Sequence, residues 1–168
     1  LIHNPRSDRI AAALGEGDLG GDVSVSVWDG GQWIDTAELT LAGPSASHLL
    51  EVAWIGNSGI ACAAFRRAIH GGSFNVGLLL PTGWRIQPDV VLSGVGRAVQ
   101  VRLQSLADQD VLLGTVEDES GKLFGLRYDG QTFTLLDGGR ALATGLDPLA
   151  AGRPFDVAVR PPGTEVPR

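Results

Sequence analysis

The most regular stretch of the chain alternates strictly, with Val23, Val25 and Val27 on one side and Ser24, Ser26 and Trp28 on the other. A period of two predicts a strand with one buried face. Residues 98–104 alternate in the same way, Val99, Val101 and Leu103 against Gln100, Arg102 and Gln104. Other runs are apolar throughout and built partly of small residues, as in Ile60-Ala61-Cys62-Ala63-Ala64-Phe65 and Val111-Leu112-Leu113. Such runs are expected of strands near the crowded centre of an assembly. No stretch carries a convincing amphipathic helical period.

The pattern recurs along the chain. The aromatic after each apparent hairpin turn is Trp33, Trp84 and Phe133, at spacings of 51 and 49 residues. The apolar runs begin at Ile10, Ile60 and Val111, spaced by 50 and 51. A third series, Val52, Val101 and Val157, is spaced by 49 and 56. Three landmarks with one period of about 50 residues predict three copies of one supersecondary unit. Each copy divides into four short segments: residues 9–14, 23–28, 32–41 and 49–55 in the first. The second copy has 60–65, 74–80, 84–92 and 98–104, and the third has 111–116, 123–128, 132–136 and 154–160.

Turn chemistry supports this division. Asp29-Gly30-Gly31 and Asp129-Gly130 separate the second and third segments of copies one and three, and Asp-Gly between alternating runs is a strong hairpin signal. Copy two has Pro81-Thr82-Gly83 at that place. The expected fold is therefore all-β, with three four-stranded antiparallel repeats over residues 8–56, 57–106 and 107–160. These form a single domain, 1–160, followed by a Pro-rich tail, 161–168.

The hairpins read Trp28-Asp29-Gly30-Gly31-Gln32-Trp33, Leu79-Leu80-Pro81-Thr82-Gly83-Trp84 and Tyr128-Asp129-Gly130-Gln131-Thr132-Phe133. In this the chain resembles bacterial β-propeller repeats, whose blades are four-stranded antiparallel sheets around a central axis. The hairpin is also similar to the Asp-box of sialidase-type propellers, with one residue fewer between Asp29 and Trp33, and copy two lacks the Asp. Kelch and WD signatures are absent. Propellers close with about four to eight blades. The resemblance thus implies a partial propeller, a piece of a longer one, or one completed by oligomerisation, two chains supplying six blades; the third outcome open to three copies is sheets stacked otherwise, as a sandwich or solenoid with an exposed edge.

Composition narrows the function classes. Of 168 residues, 43% are hydrophobic, enough for a packed core, and the 24 glycines fit many tight turns. A net charge of −6, with no basic cluster beyond Arg66–Arg67, argues against nucleic acid as a partner. No apolar run approaches the roughly 20 residues of a membrane-spanning helix. No secretory leader is visible at Leu1, which suggests a processed chain or a piece of a longer one. The single cysteine, Cys62, sits in an apolar run and reads as a buried thiol.

Catalytic chemistry finds little support. The acidic residues, among them Asp29, Glu117, Asp118, Glu119, Asp129 and Asp137, fall mostly in turns, and no nucleophile elbow accompanies His3, His48 or His70. No cofactor is expected. No zinc spacing occurs, and the acidic, Gly-rich stretch at 15–22 has no counterpart in the other copies, so no metal site is expected. Binding is the better reading. Trp28, Trp33 and Trp84 are candidate ligand-contacting aromatics, and Arg66 and His70 mark the one basic loop between first and second segments. A recurring aromatic packs its sheet more often than it binds a ligand, whereas Trp28 lies opposite the valine face and is expected to be the more exposed ring. The expected function is a non-catalytic binding or assembly scaffold of a secreted or cell-surface protein, with a protein or glycan partner or a second copy of itself. The alternatives are a lectin-like, carbohydrate-binding propeller and a fragment of a propeller-type glycoside hydrolase.

Overall fold

The computed structural model describes residues 1–4, 6–15, 23–39, 49–56, 60–65, 72–106 and 109–146. The third-copy segment at 154–160, the tail 161–168, and Arg66 and His70 lie outside the described residues. The described residues form three antiparallel sheets and no α-helix. They do not form a closed ring of sheets.

The first sheet contains β1 (Ile2–His3), β2 (Ile10–Gly15), β3 (Val23–Trp28) and β4 (Trp33–Leu39), in chain order. The second contains β5 (Leu50–Ile55), β6 (Ile60–Phe65), β7 (Asn75–Leu80) and β8 (Gly83–Ile86). The third contains β9 (Ala98–Ser105), β10 (Leu112–Asp118), β11 (Leu123–Tyr128) and β12 (Phe133–Leu135). A short β13 (Ala141–Ala143) also pairs with β11, after a 3-10 turn at Asp137–Gly139. Each sheet is an up-and-down meander joined by hairpins.

Among the described residues most strands coincide with the expected segments, but the one expected over 84–92 ends at Ile86, β1 and β13 have no counterpart in the expected segments, and the sheets begin one strand earlier than the sequence copies. β5 corresponds to the fourth segment of copy one, yet it pairs with β6, from Leu50↔Phe65 to Ile55↔Ile60. β9 likewise opens the third sheet by pairing with β10. A period fixes the length of a repeat unit but not its starting point. The hairpins at 55–60 and 105–112 tie each fourth segment to the strand that follows it.

The turns follow their residues closely. Asp29 Oδ1 accepts hydrogen bonds from the N–H groups of Gly31 and Gln32, both at 2.9 Å. Asp129 Oδ1 accepts the same pair from Gln131 at 3.0 Å and Thr132 at 2.9 Å. Gly30 and Gly130 adopt φ of 105° and 94°, a region that L-residues avoid. In the second sheet Leu80 pairs with Gly83, leaving Pro81-Thr82 as a two-residue turn.

The second sheet is packed on both faces, which explains the unbroken apolar run of its β6. Ala53, Ile55, Cys62, Ala64, Val76 and Leu78 pack against Val101, Leu103, Leu112, Val116, Phe124, Leu126 and Tyr128 of the third sheet. From its other face Val52, Trp54 and Leu79 pack against Ala11 and Val27 of the first sheet, and Ala63 against Val25. Alternation along β5 sends 52 and 54 one way and 53 and 55 the other. Small residues on β6 let the three sheets approach. Cys62, Ala63 and Ala64 have no solvent exposure, so a larger side chain there would separate sheets on one side or the other.

Candidate functional site

Three groups of residues stand out from simple core packing. The first joins the leading strands of the three sheets. The Trp54 indole N–H on β5 donates to the Ile2 carbonyl on β1 at 3.0 Å. The Ser105 hydroxyl on β9 donates to the Trp54 carbonyl. Arg102 on β9 donates to Glu51 on β5 at 2.8 Å, and the Leu103 N–H reaches the same carboxylate at 3.4 Å. Arg9 lies over the Trp54 ring, 5.5 Å from its centroid, in cation–π geometry. These contacts are sequence-distant by 52, 51, 51 and 52 residues for the four hydrogen bonds in that order, one repeat period each. Side chains at matching positions thus stitch the leading strands where no backbone ladder connects them.

The second group is the hub at the β10–β11 turn. Asp118 is almost wholly buried and accepts four hydrogen bonds. Its Oδ1 takes the Ser120 N–H at 2.9 Å, the Ser120 hydroxyl at 2.6 Å and the Lys122 N–H at 3.1 Å, and its Oδ2 takes the Gly96 N–H at 3.1 Å. Burial pushes the carboxyl upward, but the Ser120 hydroxyl and the N–H groups of Lys122, Gly96 and Ser120 outweigh it and hold its pKa below the ordinary value. A carboxylate saturated by donors anchors a turn to the segment before β9. It is poorly placed to shuttle protons.

The third group is aromatic. Trp28 and Trp33 are partners across the β3–β4 hairpin, and their rings meet edge to face with centroids 5.7 Å apart. Ile34, next to Trp33, packs with the cluster facing the second sheet, so alternation places Trp33 and Trp28 on the opposite side of the first sheet. Trp33 is 49% exposed, and Trp28 is half-buried. Trp33 is thus the more exposed of the two rings, because it lies on β4, the last strand in the sheet order, while Trp28 has strands on both sides.

Trp84 is not part of this group. It packs between the first and second sheets, against the clusters containing Trp54, Val27, Val25 and Ala63. Phe133 packs on Tyr128 at 4.8 Å and Phe74 at 5.3 Å. The structure therefore brings Trp28 and Trp33 together and sets Trp84 on the other side of the first sheet. The sequence assigned no inter-sheet role to Glu51, Arg102 or Ser105 and placed Asp118 only as a turn acid. The signal for the first three was their one-period separation, which becomes legible once the copies are laid in register.

Among the described residues no group of three or more His, Cys, Asp or Glu side chains is arranged to hold a metal ion. No helix among them is long and apolar enough to cross a membrane. Comparison with protein-family models, with curated proteins and with solved structures gives no match.

Proposed function

We propose that the chain is a run of propeller-type blades serving as a non-catalytic binding or assembly scaffold in a secreted or cell-surface protein. One observation carries the reading. Three meanders stack face to face with their leading strands side by side, tied by contacts one repeat period apart. Blades that fan around an axis bring their leading strands together in this way. Each sheet in the stack presents turns and edges to solvent, and such repeat surfaces suit a macromolecular partner better than a buried reaction centre.

The test is light scattering on a sizing column combined with small-angle X-ray scattering. The reading expects a compact particle whose mass corresponds to a whole number of stacked copies. An elongated or molten monomer with separately moving sheets would refute it.

A second reading draws on Trp33. A half-exposed indole in edge contact with a second indole offers a flat apolar face of the kind that sugar rings stack on. A glycan array signal lost on Trp33→Ala, with folding intact by near-UV circular dichroism, would favour a lectin-like role. A blank array would remove it.

A further inference from the structure

Three Asp-Gly steps occur in the chain: Asp29-Gly30, Asp129-Gly130 and Asp137-Gly138. An aspartate before glycine is open to one intramolecular reaction, attack of the next backbone nitrogen on its own side-chain carbonyl carbon. Glycine has no side chain to shield that nitrogen. All three steps are exposed. Their surroundings differ.

The first two are held in place. Asp29 Oδ1 accepts the N–H groups of Gly31 and Gln32, and Asp129 Oδ1 accepts those of Gln131 and Thr132. These bonds tie each side chain to residues beyond the glycine. The carboxyl group reaches the glycine nitrogen only by giving up both. The Gln32 and Gly31 N–H groups also hold the Asp29 carboxyl below its ordinary value, and those of Thr132 and Gln131 do the same for Asp129. Both stay ionised, and a carboxylate is a poorer electrophile than a carboxylic acid.

Asp137 has none of this. Among the described residues no hydrogen bond or ion pair holds its side chain. Its φ of 51° makes it the one non-glycine described residue in the left-handed region, where Cβ crowds the backbone. Gly138 and Gly139 follow at 61° and 83°, so three successive residues are left-handed. The turn's hydrogen bonds run from the Gly139 N–H to the Leu136 carbonyl at 3.0 Å and from the Arg140 N–H to the Asp137 carbonyl at 3.2 Å. The Gly138 N–H takes part in neither. Open space surrounds Gly138, where a Cβ would meet no atom within 4 Å. The turn joins β12 and β13, each three residues long and both paired to β11, so local opening there is cheap.

We infer that Asp137-Gly138 is a site of spontaneous isoaspartate formation, a covalent modification that the fold directs to this turn and withholds from the two Asp-Gly hairpins. The Gly138 nitrogen bonds to Asp137 Cγ and loses its proton, the Cγ–OH bond breaks, and water leaves. The product is a succinimide ring. Water then adds to one ring carbonyl and breaks that carbon's bond to nitrogen. Addition at Cγ restores aspartate. Addition at the main-chain carbonyl leaves a backbone that runs through Cβ and Cγ, with a free α-carboxylate beside it. Nothing is oxidised or reduced, and solvent water is the only co-reactant. The backbone is then longer by one carbon, and the carbonyl that accepted the Arg140 N–H has become that carboxylate. Ala141, which packs on the main core opposite Phe124, loses its register.

The experiment ages the full folded chain near pH 6, with a parallel sample in urea, and quantifies isoaspartyl peptides by chromatography and mass after digestion. In the folded chain isoaspartate is expected at 137 about 10-fold or more faster than at 29 or 129, because two hydrogen bonds must break first at each of those. In urea the three rates should converge. Hydrogen exchange on the aged folded chain should rise in Ala141–Ala143 while β10 stays protected. Asp137→Glu, whose ring would be six-membered, should abolish the product at 137 and leave the other two sites unchanged. Folded-state rates at Asp29 or Asp129 that match the rate at Asp137 would overturn the inference. The same ranking in urea would also overturn it, by tracing the preference to local sequence. So would a folded chain free of isoaspartate at 137 after the urea sample has converted.

Discussion

Arg102 donates to Glu51 at 2.8 Å from 51 residues further along the chain, so one repeat period of sequence separates the two halves of an ion pair. The pair joins the leading strand of the third sheet to that of the second, and both side chains are partly screened from water. Exposed ion pairs contribute roughly 0.2–1 kcal/mol, and partial burial places this one near the upper end. Arg102→Ala and Glu51→Ala are each expected to lower stability by about 1 kcal/mol. The double variant should cost less than the sum, as read by urea unfolding. Strict additivity would show that the two groups do not interact in solution.

Trp54 is wholly buried between the first two sheets and holds β1 through its indole N–H. Trp54→Phe keeps a ring and removes the donor, and is expected to cost about 1–2 kcal/mol, part of it the stranded Ile2 carbonyl. Trp54→Ala also opens a cavity and should cost about 3–5 kcal/mol. Hydrogen exchange is the sharper readout. The Phe variant should raise exchange in β1 and β2 while leaving β10 and β11 protected.

The Asp118 hub gives a pH dependence with a defined sign. Its folded-state pKa lies below the ordinary carboxyl value, so the carboxylate stabilises the fold at pH above about 4 and loses that effect as acid protonates it. Stability should fall as pH drops below about 4, and the part of that fall due to this group should vanish in Asp118→Asn. Asp118→Ala leaves the Gly96, Ser120 and Lys122 N–H groups without their acceptor and is expected to cost about 2–3 kcal/mol at neutral pH. Denaturant melts at pH 3 and pH 7 read both effects. An identical acid response in wild type and Asp118→Asn would assign the acid sensitivity to other groups.

Gly56, buried just after β5, sits against the Leu106 and Gln109 carbonyls, which a Cβ would strike. This is a contact between the turns that follow the leading strands of the second and third sheets. Gly56→Ala is expected to cost about 1–3 kcal/mol by forcing those turns apart. Gly83→Ala instead strains a backbone at φ 105° with open space around it, so its cost is conformational and local. Thermal unfolding should show the Gly56 variant losing cooperativity between sheets and the Gly83 variant keeping it.

Cys62 has no solvent exposure, and burial alone pushes its thiol up to about 12. The nucleophile is the thiolate, so a maleimide or disulfide reagent at pH 8 should label Cys62 only as the sheets open. Labelling at the rate of a free thiol, read by mass, would place Cys62 outside the core.

The positions of the strands were legible in the sequence because alternation and Asp-Gly turns are local. Val23–Trp28 needs only its own residues to declare a half-buried strand, and Asp29 closes its turn with N–H groups two and three residues away. The period was also legible, since copies of one unit repeat their landmarks wherever they pack. The candidate site was legible only in part. Trp28 and Trp33 adjoin across a hairpin, so their pairing is local, but their exposure depends on which sheet covers them.

The tertiary structure decided the rest. It chose the starting strand of each sheet, because the turn after Ile55 and the longer one after Ser105 bind forward, and a period has no beginning. It packed Trp84, half-buried, against the first sheet and left Trp33 at the surface although both hold the same place in the repeat, since burial belongs to the neighbouring sheet and not to the residue. It also joined Glu51 to Arg102 and Ser105 to Trp54, contacts that exist only when strands 51 residues apart in sequence lie side by side.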